Sequence, residues 1–222
     1  MSRQNPSVIA AFGAGDQIQT HLQLLLSTYP SLRECVIINR TRNDRLLHLK
    51  ETLKSLFPQT SFECVGASYG NKDDDARLRQ IVPRADIICS ATPSRKALFN
   101  GAWVKPGTHV NLVGSYTVDM REVDEEVIRR AAKIVVDSRE ACLHEAGELI
   151  HANLRPEDLV EIGELVNAEG EVLGNIVDGT RNGDVTIFKS VGVGIQDVAI
   201  AQAVLERAHE SGIGVKIGNY DA

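Results

Sequence analysis

Short apolar runs alternate along this chain with longer stretches of helical periodicity, and that alternation constrains its fold more than any other feature. The strand-length runs are Val8–Phe12, Cys35–Asn39, Ser61–Val65, Ile87–Ala91, His109–Val113, Ile134–Asp137 and Val185–Phe188. Several, such as IIC and KIVV, are apolar on both faces, which suits a parallel sheet covered by helices on either side. Between the first two runs, Gln17–Thr28 sets Ile18, Leu22, Leu25 and Leu26 on one face. Arg45–Phe57 repeats the pattern with Leu46, Leu49, Leu53 and Leu56 before Pro58 stops it, and Asp73–Ile81 ends before Pro83. Such a strand–helix series winds right-handedly into an α/β fold with a doubly wound parallel sheet.

Later segments add less. Tyr69–Asp75 reads as a charged surface loop, and Asn167–Asp184 as a Gly/Asn/Asp-rich loop or short hairpin before VTIF. Ile195–Ala208 is an amphipathic helix with Val198, Ala201, Val204 and Leu205 in a stripe, and GIGVKIG beyond it is expected to form a further strand.

A length of 222 residues suits one large domain, or one domain with a small appendage. The net charge of −6, with no Lys/Arg block to offset it, argues against a nucleic-acid surface. No apolar run approaches the roughly 20 residues needed to span a bilayer. The first residues, MSRQNPS, are polar and give no secretory signal. Cys35, Cys64, Cys89 and Cys142 show no CxxC pairing and read as buried free thiols, so a cytoplasmic, reduced chain is expected. The histidines show no paired-ligand spacing, so no metal is expected.

The stretch IAAFGAGDQIQTH places Gly13 and Gly15 directly between the first strand and the first helix. In a dinucleotide fold the first glycine permits the tight turn, the second lets the backbone approach the pyrophosphate, and the helix N-terminus offers free N–H groups. The third small residue of that fingerprint is Ile18 here, so on GxG alone a phosphate-binding turn and an ordinary strand-to-helix turn both stand. The second strand bears on the choice. It ends in NRTR, with no Asp or Glu to receive a ribose 2′-hydroxyl. A guanidinium there grips a 2′-phosphate bidentately and Thr41 adds a hydroxyl donor, which favours NADP(H) over NAD(H). The competing reading is that Arg40 and Arg42 are solvated loop charges. At the fourth strand Thr92, Pro93 and Ser94 follow ADIICSA, and the fifth carries Val113, Gly114 and Tyr116 to the same edge, where these folds hold the nicotinamide.

Taken together, GAGDQ, NRT, ADIICSATPS, WVKPGTHVNLVGS, DMREVD, VVDSREACLHEAGEL and TIFKSVGVGIQD resemble the ornithine cyclodeaminase/mu-crystallin family over nearly the whole chain. NRT and SYTVDMREVD resemble its mu-crystallin and ketimine-reductase branch most closely. The resemblance implies a Rossmann domain binding NADPH through Ala14, Asp16 and Gln17, then Asn39, Arg40 and Thr41, with Asp44 just downstream. It puts Thr92, Pro93, Ser94 and Val113 nearer the nicotinamide, and assigns substrate contacts to Tyr116, Lys189 and Ser190. Reductases of this kind pass a hydride from NADPH to a cyclic imine such as a ketimine carboxylate, so a small imino or amino acid is the expected partner. Cyclodeaminases instead use bound NAD transiently on ornithine, and a non-catalytic NADPH- or ligand-binding protein is a third alternative.

Two departures matter. Where cyclodeaminases carry an acid/base aspartate after the fifth strand, this chain aligns Tyr116, with Asp119 the nearest carboxylate. As a catalytic residue Tyr116 would donate a proton to the imine nitrogen, although a phenol is a weak acid at neutral pH; the alternative is that it only lines the pocket. Family members also carry a dimerisation and substrate domain before the glycine turn, whose cationic residues hold the substrate carboxylate. Only MSRQNPS precedes the strand here, and Arg95 and Lys96 read as surface charges. The expected division is a dinucleotide-binding domain over 1–210 and a tail over 211–222 that packs on that further domain in the family. A tail without this partner is expected to be poorly ordered or to drive self-association into a homo-oligomer.

The remaining polar residues have simpler readings. His21 and His144 are surface or satisfied histidines, and Glu145 and Glu148 beside Asp137 form an acidic cluster or a solvated face. Arg121, Glu122, Asp124 and Glu125 read as a helix start with favourable dipole placement.

Overall fold

The computed structural model describes residues 5–174 and 182–215. Eight parallel strands form one sheet: β1 (Val8–Phe12), β2 (Glu34–Asn39), β3 (Ser61–Gly66), β4 (Ile87–Ser90), β5 (His109–Leu112), β6 (Ala131–Val136), β7 (Leu159–Glu161) and β8 (Val185–Lys189). Their order is β3-β2-β1-β4-β5-β8-β6-β7. The expected doubly wound sheet is what forms, and each of the seven expected strands lies within a few residues of its place. The additional strand, β7, pairs with β6 through Leu159, Val160 and Glu161.

The winding reverses between β1 and β4, because β2 and β3 are laid down on one side of β1 and the later strands on the other. At such a reversal the loops leaving the strand C-termini diverge and leave a crevice. Alternation along β1 shows why both faces are covered. Ile9 and Ala11 join Ile18, Leu22, Leu26, Leu46, Leu49 and Leu53 in one buried cluster, whereas Ala10 and Phe12 join Leu78, Val110, Val127 and Leu149 in the other. Each leucine, isoleucine or valine so removed from water stabilises the fold by about 1.5–3 kcal/mol before the entropy of ordering it is counted.

Helices α1 (Asp16–Thr28), α2 (Asp44–Leu56) and α3 (Lys72–Ile81) follow the first three strands. The first two end at Tyr29 and Phe57, each just before a proline that disfavours helical backbone at the preceding residue. Asn43 and Asn71 cap α2 and α3, their side chains accepting N–H groups of the first turn. Shorter helices α4 (Glu125–Arg129), α5 (Arg139–Glu145) and α6 (Gly147–His151) complete this part. Cys35, Cys89 and Cys142 are buried and Cys64 half-buried, and none forms a disulfide.

The chain divides into two compact units, 1–191 and 192–222. In the second unit α7 (Gly194–Glu210) forms as expected, but its apolar residues are exposed, Val198, Val204 and Leu205 among them. No strand forms over 212–215, and the rest of GIGVKIG and much of the expected Asn167–Asp184 loop lie outside the described residues. Among the described residues no helix is long and apolar enough to cross a membrane.

Candidate functional site

Because every strand of the sheet is parallel, all the expected site residues leave it at one edge. Gly13, Ala14, Gly15, Asp16 and Gln17 form the β1–α1 turn, and Asn39, Arg40 and Thr41 follow β2. Asp44 opens α2, Thr92, Pro93 and Ser94 follow β4, Val113 follows β5, and Lys189 and Ser190 close β8.

Gly13 is held in a conformation that glycine alone adopts readily, with φ +115° and its N–H donating to the Ile38 carbonyl at 2.8 Å. A Cβ there would also stand 2.9 Å from the Ala91 carbonyl oxygen and 3.4 Å from the Thr92 side chain, so the turn presses against the loop after β4. Gly15 precedes α1, which no side chain caps. The N–H groups of its first turn are thus left for another acceptor, and they carry the positive end of the helix dipole. An added Cβ on Gly15 would meet only Arg45, whose Nη2 lies 3.3 Å away.

The β2–α2 loop is fixed locally. Asn39 Nδ2 donates to the Thr41 carbonyl at 3.0 Å, and the Arg42 backbone passes so close to Gly66 that a Cβ there would sit 3.0 Å from its nitrogen. Arg40, Thr41 and Arg42 are all exposed on this loop. Arg45 reaches back from α2 to Asp16, with Nη2 and Oδ1 3.9 Å apart.

On the other side of the crevice the loops are laced together by buried charge. Glu122, expected to be part of a helix start, lies ahead of α4 and is wholly buried. One oxygen accepts the N–H of Thr92 at 2.6 Å and its hydroxyl at 2.9 Å, and the other accepts the N–H of Gly114 at 2.7 Å. Burial pushes its pKa up, against the pull of Lys189 and of those backbone donors. Lys189 is buried as well, its Nζ donating to the Ser115 carbonyl at 2.6 Å and lying 3.2 Å from Glu148 Oε1. Glu148 is 2% exposed, so the solvated face expected for it is not formed, and neither of its oxygens has an aligned hydrogen bond. A third link joins β6 to β8, where Asp137 accepts the Ser190 hydroxyl at 2.7 Å and the Val191 N–H at 3.0 Å.

The structure therefore brings Gly13 to Thr92, Gly15 to Arg45, and Thr92 to Gly114, but it does not gather the expected substrate contacts. Lys189 turns its ammonium inward, the Ser190 hydroxyl donates to Asp137, and Tyr116 is 51% exposed. Ser94 donates its hydroxyl to the Lys96 carbonyl at 2.6 Å. Arg95, as expected, is an exposed residue, and it pairs with Asp119 at 3.0 Å. His21 is half-buried and bonds to the Gln17 carbonyl, and His144 is exposed on α5. A groove of about 650 Å³, lined by Tyr69, Lys96, Arg121, Glu126 and His151 among others, includes none of the expected cofactor residues.

Sequence reasoning missed Glu122, Glu148 and Arg45. The signal available for Arg45 was its place in the first turn of α2, directly after NRTR. Nothing local marks Glu122 or Glu148 as buried.

Comparison with known proteins agrees with this architecture. Residues 1–212 match the model of the ornithine cyclodeaminase/mu-crystallin family. The chain is 36% identical over 214 residues to Protein SAR DEFICIENT 4 of Arabidopsis thaliana, covering 93% of this chain and 60% of that protein. It is 32% identical over 226 residues to a Delta(1)-pyrroline-2-carboxylate reductase of Bacillus cereus, covering 98% of this chain and 62% of that one. Among solved structures, the Thermococcus litoralis Delta(1)-pyrroline-2-carboxylate reductase in complex with NADH and L-proline superimposes with a TM-score of 0.79 at 26% identity, covering 98% of this chain and 62% of that chain. This chain thus spans about 60% of the length of the relatives it matches. It belongs to the ornithine cyclodeaminase/mu-crystallin family.

Proposed function

We propose that this chain is the cofactor-binding part of an NADP(H)-dependent oxidoreductase that reduces a cyclic imine or ketimine carboxylate. The observation that carries this reading is the convergence, at the sheet's switch point, of the Gly13–Gly15 turn with a β2–α2 loop bearing arginines. The residues present fit a dinucleotide. Gly13 allows a turn that a Cβ would block, Gly15 leaves one side of the turn open, and α1 carries no side-chain cap. The backbone N–H groups of Ala14, Asp16 and Gln17 would lie along the diphosphate, and Asn39, Arg40, Thr41 and Asp44 around the adenosine ribose. Thr92, Pro93, Ser94 and Val113 would flank the nicotinamide, with Glu122 holding the first and last of these loops in register. A reduced nicotinamide supplies a hydride when bound. Tyr116, half exposed at this edge, is the candidate proton donor to the imine nitrogen, with water as the alternative.

The solved relative with NADH supports a nicotinamide dinucleotide, and the pyrroline-carboxylate reductases support a cyclic imine as substrate. Preference for the phosphorylated cofactor rests on this chain's own Arg40 and Thr41. A second reading, cofactor binding without turnover, is supported by the engagement of Lys189 with Ser115 and Glu148 and of Ser190 with Asp137, which leaves the substrate carboxylate without those contacts. The α7 unit, with Ile195 and Val198 exposed, is the element we assign to contact with a further domain or a second subunit.

Oxidation of NADPH by the purified chain, followed in the presence of a cyclic ketimine carboxylate, separates the readings. Ketimine-dependent loss of NADPH supports the reductase. Saturable NADPH binding with no turnover favours the second reading.

A further inference from the structure

The guanidinium of Arg45 occupies an unusual position for a residue on the second helix. Its Nη2 lies 3.3 Å from where a Gly15 side chain would begin, beside the one residue of the turn whose missing Cβ leaves room for phosphate. Among the described residues it pairs there with Asp16, at 3.9 Å, the arginine 65% exposed and the aspartate fully exposed. Solvated pairs at such a distance contribute little and exchange partners readily. Asp16 itself is poorly placed for an anionic ligand, since it puts a carboxylate on the first turn of the helix whose N–H groups would meet the diphosphate.

We propose that Arg45 is a selectivity residue of the nucleotide crevice. It neutralises Asp16 when no phosphate is near, and transfers its planar pair of N–H donors to the adenosine 2′-phosphate when one arrives. This inference rests on the NADP(H) reading above and extends it. Arg40 and Arg42 lie on the loop after β2 and Arg45 in the first turn of α2, with its guanidinium beside Gly15. A bidentate guanidinium suits a dianionic phosphate better than an ammonium does, so lysine should replace it only in part.

The test is calorimetric titration of the full chain and its variants with NADPH and with NADH. Losing one charge-assisted phosphate contact predicts that R45A weakens NADPH binding about tenfold or more and leaves NADH within about twofold. R45K should recover part of the loss. D16N, which frees Arg45, should tighten NADPH by about two- to fivefold, and this gain should be smaller in the R45A background. The melting temperature of R45A should match that of the parent, because the side chain is largely exposed. Equal weakening of both cofactors would assign Arg45 to the diphosphate and overturn the proposal, as would unchanged NADPH affinity. If the parent chain itself binds neither cofactor, the failure lies instead in the functional reading on which the proposal stands.

Discussion

Glu122 accepts the backbone N–H of Gly114 at 2.7 Å, while the other oxygen of the same carboxylate accepts the N–H of Thr92 at 2.6 Å. One wholly buried side chain thereby fixes the spacing of the loops that leave β4 and β5. Truncation by E122A orphans two buried N–H groups and is expected to destabilise the chain by about 2–5 kcal/mol in urea unfolding. E122Q keeps the shape but has a single strong acceptor, so it should unfold at lower urea than the parent and higher than E122A. It should also weaken cofactor binding, because the loop carrying Thr92 is no longer held to the loop carrying Val113. An E122Q chain that binds NADPH as tightly as the parent would contradict a positioning role.

Gly114 itself lies so close to Thr92 that an added Cβ would run into the Thr92 carbonyl oxygen and amide nitrogen, both backbone atoms. G114A is therefore expected to separate the two loops and abolish cofactor binding. G13A forces a side chain into φ +115° and against the Ala91 carbonyl, at a cost of about 1–3 kcal/mol. Thermal melts with and without NADPH check both: each variant should melt earlier, and neither should be stabilised by NADPH as the parent is.

Lys189 and Glu148 form a pair shielded from water, with 0% and 1% side-chain exposure. Removing only the ammonium, as in K189M, leaves a buried carboxylate unpaired and should destabilise by about 3–5 kcal/mol. The double variant K189M/E148L removes both charges and should recover most of that loss. Denaturant unfolding of the single and double variants measures the coupling; losses that simply add would show that the two groups do not depend on each other.

His109 gives the stability a defined pH dependence. Buried between Thr186 and Asn111, which it contacts at 2.8 and 3.1 Å, its imidazole has its pKa lowered from 6.5 to about 4 by burial. The unfolded chain takes up a proton at this residue near pH 6.5, and the folded chain does so only near pH 4. Its contribution is therefore complete above pH 6.5 and is lost as the pH falls toward 4, at up to about 1.4 kcal/mol per pH unit within that window. H109Q should flatten the stability profile there. A parent profile already flat between those values would contradict the neutral buried histidine.

The sheet was legible in the sequence because burial on both faces leaves runs such as VIAAF and ECVIIN, whose apolar character needs no partner to be seen. The α1–α3 helices were legible for the same local reason, with Leu22, Leu49 and Leu78 each on a buried stripe. Strand β7 was not, since three residues between 3-10 turns carry no periodicity. The insertion of β8 between β5 and β6 was hidden too, because strand order depends on contacts far apart in the chain. In the site, the glycine turn and NRTR could be read directly. Glu122 and Glu148 looked like helix-surface charges, since the Thr92, Gly114 and Lys189 groups that allow their burial lie 30, 8 and 41 residues away.

The central claim is that the crevice at the β1–β4 switch point takes a dinucleotide phosphorylated on its adenosine ribose. Calorimetric titration of the unaltered chain with NADPH and NADH tests it most directly. Saturable binding of both is expected, with NADPH tighter by about tenfold or more, and loss of that difference in R40A. Equal affinities, or tighter binding of NADH, would contradict it.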